Sequence, residues 1–413
     1  MDFHEIEIMS PVGSFESLMA AVQGGAGSIY FGIGKLNMRA RSSNNFTEDN
    51  LVKITEIASK HRIKTYLTLN TIIYDEDIEM MKQVADTAKK NGVSAIIASD
   101  MAVIEYANSI GMEVHISTQC NVTNIEAVKY YSRFADVIVT ARELSLKQIA
   151  FITKQIIEQQ IKGPSGKLVR IEVFVHGALC MAISGRCYLS NDLVNNSANR
   201  GDCLQLCRRS YIATDKEEGF ELEIDNHYIL SPKDLCTIGF IDKIIEAGVA
   251  VFKIEGRGRS ADYVKTVTRC YSEAVKAVME KKYDAEAIAQ WTEKLKTIYN
   301  RGFWDGYYLG KKTGEWTEFY GSQASKTKLY LGKVTNYFTK LGIAEIKMET
   351  HEMMLGDELL IIGPTTGVLE MNVSEIRVDL KNTEKAVKGE TCSIPVKDIV
   401  RKNDKIYKLL DNI

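Results

Sequence analysis

Four of the eight cysteines fall within 28 positions, as Cys180-x6-Cys187-x15-Cys203-x3-Cys207. Four thiolates complete a tetrahedral zinc site or hold a four-iron, four-sulfur cluster, since both take soft sulfur ligands. The pair Cys203/Cys207 has the close spacing of zinc ribbons and the pair Cys180/Cys187 does not, so spacing leaves both metals open. Cys236, in Ser231-Pro232-Lys233-Asp234-Leu235-Cys236, is a reserve ligand. Cys120, Cys270 and Cys392 stand alone, as small buried hydrophobes usually do. Arg200, Arg208 and Arg209 flank the last pair. They would balance an anionic thiolate site, contact phosphates, or serve as solvated loop charges.

A second constellation is Lys253-Ile254-Glu255-Gly256-Arg257-Gly258-Arg259-Ser260, which leads into a helix. A glycine-relieved turn with two arginines and Ser260 at the helix start reads as an anion pocket for a phosphate or a carboxylate. Hydrolase patterns are poorly represented. His351-Glu352-Met353-Met354-Leu355 lacks the second histidine of a zinc protease, and neither a Gly-x-Ser-x-Gly elbow nor a Walker loop is present. Cys180 and His176 are four positions apart, a spacing that does not make a nucleophile–base pair.

The elements that must position these residues are short β-branched runs alternating with amphipathic, helix-length segments. The runs cover 6–11, 27–32, 63–70, 95–100, 113–119, 136–140, 170–177 and 251–256. Strand, helix, strand, repeated, predicts an α/β fold with a parallel sheet, and eight repeats in about 250 residues predict a TIM-like (β/α)8 barrel. Chemistry in such barrels sits at the C-terminal ends of the strands. Those ends, or the loops behind them, carry Arg39, Asn70, Asp100, Gln119, Arg142 with Glu143, His176 and Glu255. The one long connection, about 177–232, holds the cysteine group and leads toward a helix expected near Lys233; it is a Cys-rich insertion before the last strand. Helical stretches at 261–282 and 285–299 are followed by a glycine- and aromatic-rich packed turn at 300–310. The barrel unit, with its insertion and following helices, spans 1–320. Gly321-Ser322-Gln323-Ala324-Ser325 links it to short strands and turns over 325–413, read as a small C-terminal β-barrel domain.

The 413 residues carry 52 Lys+Arg against 54 Asp+Glu, a formal charge of −2, with 45% hydrophobic residues. That is a soluble globular composition, and it excludes a strongly basic nucleic-acid binder, so contact with RNA requires a local patch. The segment 325–413 has 14 Lys+Arg and 13 Asp+Glu, or +1, and shows no basic stripe. No apolar run approaches the length of a membrane helix, and the first residues do not resemble a secretory signal. The expectation is a cytoplasmic protein with reduced thiols and no membrane partner.

Over nearly its whole length the chain resembles the U32 peptidase family, also known as collagenase-like proteases. The resemblance is carried by Leu36-Asn37-Met38-Arg39-Ala40-Arg41 with Asn45-Phe46-Thr47, Leu67-Thr68-Leu69-Asn70-Thr71, Ser117-Thr118-Gln119-Cys120-Asn121-Val122-Thr123-Asn124, Val175-His176-Gly177-Ala178-Leu179-Cys180, Ser184-Gly185-Arg186-Cys187, Asn199-Arg200-Gly201-Asp202-Cys203, Phe252-Lys253-Ile254-Glu255-Gly256-Arg257 and Asn300-Arg301-Gly302-Phe303. It departs at Val12, Cys120 and Leu206, where relatives often have Ala, Met and Pro.

The length, the two-part organisation and the four-cysteine pattern are most similar to the branch whose members hydroxylate tRNA to give 5-hydroxyuridine. That resemblance implies an oxygen-independent hydroxylase of wobble uridine 34 with an iron–sulfur cluster, 4Fe-4S in type, on Cys180, Cys187, Cys203 and Cys207. It also implies prephenate, a dicarboxylate, as hydroxyl source, tRNA as partner, and a redox partner whose identity it leaves open. Arg39, Asn70, Gln119, Arg142, Arg257 and Arg259 would then bind substrate, with Arg39 and Arg257 gripping prephenate carboxylates or RNA phosphate. Glu143, His176 and Glu255 are candidate proton handlers by position. The family label carries a second reading, a peptidase, and the cysteines allow a third, a zinc-clipped RNA-binding module.

Overall fold

A computed structural model describes residues 6–41, 46–195, 197–209, 211–224, 230–311, 313–317 and 321–412. Asn45, in one of the motifs above, lies outside them. Eight parallel strands close a barrel: Glu7–Pro11, Ser28–Gly32, Lys64–Leu69, Ala95–Ala98, Glu113–Ile116, Val137–Val139, Arg170–Gly177 and Val251–Ile254. The last closes the ring by pairing Val251 with Glu7 on one side and with Glu172 on the other. These strands are largely buried on both faces, as strands between a barrel interior and a helical layer must be; Ala95–Ala98 and Val137–Val139 are buried throughout, and Glu7, His115, Glu172 and Lys253 are buried charged or polar residues among them.

The surrounding helices start where local chemistry stops the strand-to-helix turn. Ser14 and Ser17 form a capping box on Phe15–Gly24, and Asp100 accepts a hydrogen bond from Ala102 N at 2.9 Å to cap Met101–Ser109. Asp100 is therefore a helix cap that also holds Ile73 N, at 3.0 Å. Inside the barrel, Lys253 Nζ lies 2.7 Å from Glu172 Oε1 and 4.7 Å from the centre of the Tyr30 ring.

The insertion leaves Arg170–Gly177, forms the short helix Leu189–Val194 and a hairpin of Tyr211–Thr214 with Glu221–Ile224, and returns at Asp234–Cys236. The helix expected near Lys233 begins instead at Ile241. Asp234–Cys236 is extended because the long seventh strand presents a free ladder edge, which it fills antiparallel, Cys236 opposite His176. Phe303–Trp304 then adds to the same edge.

From Lys326 onward the chain forms an eight-stranded antiparallel sheet around a core that includes Leu331, Val334, Ile346, Ile361, Ile394 and Ile406. It docks on the helices Phe15–Gly24 and Ala261–Met279, with Gln23 Nε2 donating to Thr366 O at 2.9 Å and Lys265 Nζ to Val368 O at 3.0 Å. Among the described residues no helix is long and apolar enough to cross a membrane.

Candidate functional site at the barrel mouth

The C-terminal ends of the second, third, fifth and eighth strands bring side chains to one floor. After Ser28–Gly32 the chain folds back through buried Asn37, whose Oδ1 accepts from Arg39 N at 3.1 Å. That turn aims Arg39 across the mouth to the eighth strand, where its Nη2 donates to Glu255 Oε1 at 2.8 Å. Glu255 also accepts from Tyr30 Oη at 3.3 Å. Arg257 points into the barrel and donates to Asn37 Oδ1 at 3.0 Å and Thr68 Oγ1 at 2.8 Å. Room for it comes from Gly32, where a Cβ would lie 2.7 Å from the Arg257 guanidinium. Asn70 and Gln119 join through a 3.0 Å hydrogen bond from Asn70 Nδ2. Gly177 has φ +103°, and a Cβ there would meet Glu255 O at 2.5 Å, so glycine lets the seventh and eighth strand ends close up.

Burial pushes the Glu255 carboxyl up, but Arg39, Arg142 and Arg257 together pull it below the ordinary carboxylate range. It is ionised at neutral pH. Burial lowers Arg257 to about 10, which still leaves it charged. The floor is thus three guanidiniums sharing one carboxylate, an arrangement that suits an anion with two negative charges. Arg142 stacks on Phe174, 4.1 Å from the ring centre, and its Nε is buried without a hydrogen-bond partner among the described residues.

The cysteine segment lies across this floor, tied down from several sides. Arg208 donates to Leu179 O, Pro232 O and Ser231 Oγ, each at 2.7 Å, which pins both ends of the insertion. Asn121 Nδ2 donates to Ser184 O at 3.1 Å, Ile72 N to Asn199 O at 3.2 Å and Arg41 N to Gly201 O at 3.3 Å. Cys180 is exposed, and Cys187, Cys203 and Cys207 are half-buried, all as free thiols. Burial raises the Cys207 thiol, Arg208 opposes this, and Cys180, Cys203 and Cys187 raise it further. Arg39 is held charged by Glu255 against the opposing effect of burial, with smaller contributions from Cys180 and Cys203. Among the described residues no group of three or more Cys, His, Asp or Glu side chains is placed to hold a metal ion. The thiols of Cys180, Cys187, Cys203 and Cys207 offer soft donors of the kind a sulfur-ligated group takes. Cys236 has another setting: it is buried in the ladder beside His176, its sulfur 3.9 Å from Tyr271 Oη, and burial pushes its thiol up to about 11.

The remaining candidates from the sequence lie outside this floor. His176 is 1% exposed. Its Nδ1 lies 3.3 Å from Tyr271 Oη, and burial, then Arg259, lower the imidazole to about 3. It is neutral and packed behind the mouth. Arg259 lies 3.6 Å from the centre of the Tyr299 ring while Arg257 turns into the barrel, so the two arginines diverge and the expected helix-start anion pocket is not formed. Ser260 occupies the N-cap position without a side-chain cap bond. Glu143 is exposed on the rim, beside Arg142 and Cys180 in a small recess that Trp304, Tyr307 and Trp316 also line. Arg200 is committed to Asp77, at 2.6 Å. Sequence reasoning missed Tyr30 and Asn37, two residues that fix the floor. Asn37, next but one before Arg39 in a turn, was the available signal.

Residues 13–318 match the model of Peptidase family U32. A collagenase of Porphyromonas gingivalis is 58% identical over 408 residues, covering 99% of each chain. The tRNA hydroxylation protein of Bacillus subtilis is 31% identical over 366 residues, 87% of this chain and 83% of that one. The 23S rRNA 5-hydroxycytidine synthase of Escherichia coli is 34% identical over 319 residues, 76% of this chain and 46% of that one.

Proposed function

The chain belongs to peptidase family U32, and on that premise we propose that it is a cytoplasmic, oxygen-independent tRNA hydroxylase that forms 5-hydroxyuridine at wobble uridine 34. Its cofactor in this reading is a 4Fe-4S cluster, and prephenate is the source of the hydroxyl group. The observation that supports the reading is the barrel mouth itself, where the insertion bearing Cys180, Cys187, Cys203 and Cys207 is tied to the strand-end loops and Glu255 is paired with Arg39 in the field of Arg142 and Arg257. Relatives whose names record tRNA and rRNA hydroxylation, at 31% and 34% identity, support the substrate class.

The cluster, held by Cys180, Cys187, Cys203 and Cys207, would supply electron-transfer and Lewis-acid chemistry above the mouth. The chain's own residues do the rest. Arg39, Arg142 and Arg257 leave a surplus of positive charge beyond Glu255 and bind the two carboxylates of the small co-substrate. Glu255 stays ionised and holds Arg39 in place, and Asn70 with Gln119 offers amide groups to the uracil edge. Glu143, exposed on the rim beside Arg142, is placed to accept a proton. His176 has no part in this proposal because its imidazole faces Tyr271.

The test is anaerobic purification with iron, acid-labile sulfide and zinc analysis, and nucleoside analysis of tRNA from cells carrying wild type or Cys203→Ala. Near-equal iron and sulfide, with 5-hydroxyuridine in tRNA, both lost in Cys203→Ala, is the expected result. Bound iron and 5-hydroxyuridine unchanged in that variant would remove the reading. The 58% identity to a protein named collagenase favours a peptidase as the second reading. Peptide cleavage that persists after all four cysteines are replaced would establish it, and stoichiometric zinc without visible absorption near 400 nm would point to a clipped RNA-binding module.

A further inference from the structure

The loop behind the sixth strand, the start of the cysteine insertion and the chain from 304 to 316 enclose a recess of about 40 Å³, lined by Arg142, Glu143, Trp304, Tyr307 and Trp316 together with Cys180. That is more room than one water needs and far less than the roughly 300–1,000 Å³ that encloses a whole small molecule. The recess therefore admits the edge of a flat ring. Trp304 is structural: it is 4% exposed, its Nε1 donates to Lys233 O at 3.1 Å, and its ring meets that of Tyr307 edge-on with centres 5.3 Å apart. Tyr307 and Trp316 are half-buried and keep accessible surface. A Cβ on Gly314 would lie 3.4 Å from Trp316 Cζ2 and 3.7 Å from Tyr307 Oη, so indole and phenol converge on one point. Among the described residues the Tyr307 hydroxyl, the Trp316 indole N–H and the exposed Glu143 carboxylate make no hydrogen bond or ion pair.

The chemistry of the walls narrows the occupant. Arg142 and Glu143 bring one charge of each sign, so the recess favours neither an anion nor a cation, and aromatic faces beside them suit a flat, neutral ring. An ionised carboxylate carries only acceptors and a guanidinium only donors, so the edge of that ring must offer a donor beside an acceptor. Among the RNA bases, cytosine, adenine and guanine do so through an exocyclic amino group, which uracil lacks. Arg142 serves two places, since it lines the recess and its charge acts on Glu255 in the floor. We propose that the recess holds the edge of an amino-bearing base of single-stranded RNA, next to the nucleotide in the mouth, stacked on Trp316, with one Glu143 oxygen accepting from the amino group and Arg142 donating to the acceptor beside it. The inference rests on the RNA reading above and adds to it a subsite that reads a neighbouring base.

The experiment measures binding of dye-labelled cytidine and uridine hexaribonucleotides by anisotropy, with tryptophan quenching and Tm alongside, for full chains of wild type, Glu143→Gln, Trp316→Ala and Trp316→Phe. The wild type is expected to bind the cytidine oligomer about ten-fold more tightly than the uridine oligomer, as one hydrogen bond to a charged group allows. Glu143→Gln is expected to bring the two within about two-fold, because an amide offers both a donor and an acceptor. Trp316→Ala is expected to weaken both by about five-fold or more, and Trp316→Phe, which keeps a stacking face, to restore them. Glu143 is exposed, so its variant tests the recess even where Trp316→Ala lowers Tm. Equal wild-type affinity for the two oligomers, a preference that survives Glu143→Gln, or undiminished binding by folded Trp316→Ala overturns the recess; 5-hydroxyuridine in tRNA that depends on the wild-type protein would then leave the hydroxylase reading standing. Neither oligomer bound at about 50 mM salt, with no 5-hydroxyuridine formed, removes both. Tryptophan quenching by denatured collagen and by neither oligomer would make this a peptide subsite and overturn the RNA base.

Discussion

Replacing His176 by Gln tests whether that histidine belongs to the chemistry or to the packing. Its ring is 1% exposed and lies against Tyr263, Tyr271 and Phe303, with ring centres 6.0, 5.5 and 5.6 Å away. Burial, with Arg259 next in weight, holds its pKa at about 3, whereas an unfolded chain protonates histidine near 6.5. A pKa depressed by folding favours the neutral form, so the contribution to stability is complete above about pH 6.5 and is lost as pH falls toward 3. Between those values the unfolded state binds one more proton than the folded state, and stability declines by about 1.4 kcal/mol per pH unit. By pH 5 the wild type has lost about 2 kcal/mol through this group alone. The assay is urea unfolding of wild type and His176→Gln at pH 8 and pH 5. The variant starts less stable at pH 8, for lack of the ring's packing, but its fall to pH 5 is smaller than the wild type's by about 2 kcal/mol. Equal falls in the two proteins would refute the buried, neutral imidazole. Loss of tRNA hydroxylation at pH 7.5 in a folded variant with normal iron would place His176 in the chemistry after all.

Glu255→Gln leaves Arg39, Arg142 and Arg257 without their shared carboxylate. Because the pair with Arg39 is partly open, with side chains 24% and 13% exposed, the expected loss is about 2 kcal/mol, below the 3–5 kcal/mol of a fully buried pair. A small dicarboxylate should raise the Tm of this variant more than that of the wild type, read by thermal unfolding with and without malonate. The folded-state pKa of Glu255 is depressed, so its contribution persists through neutral pH and fades as pH falls below about 4.3. Lys253→Met strands Glu172 inside the barrel and should cost about 3–5 kcal/mol, while Lys253→Met with Glu172→Leu should recover most of it, measured by urea unfolding.

The barrel was legible because its strands are short, rich in β-branched residues and separated by helix-length segments, a pattern that admits few topologies. The floor residues Arg39, Asn70, Gln119 and Glu255 followed from that placement, since a strand end in a closed barrel faces the mouth. Arg257 and Arg259 did not separate in sequence: both follow the last strand within one turn, and only the space beside Gly32 and the face of Tyr299 decide that one turns inward and the other out. His176 sits apart from the floor for a related reason. It is near a strand end, but the seventh strand runs on past its neighbours and is covered by Asp234–Cys236, so that its last side chains are packed rather than open. That covering strand is itself built from a long-range edge pairing, which local propensity does not encode.

Arg39 is the residue through which the parts of the site depend on one another. Its guanidinium is bound to Glu255 on the floor and feels Cys180 and Cys203, and its own loop, through Lys35 and Arg41, lines an adjacent cavity with Arg200 and Asp202. The cysteine segment is in turn tied to that loop through Arg41 N and Gly201 O. A change in the turn at Asn37 would therefore shift the charge on the floor, the seat of the thiols and the adjacent cavity together. Family members are then expected to keep Asn37 and Arg39, whose movement would disturb all of these parts.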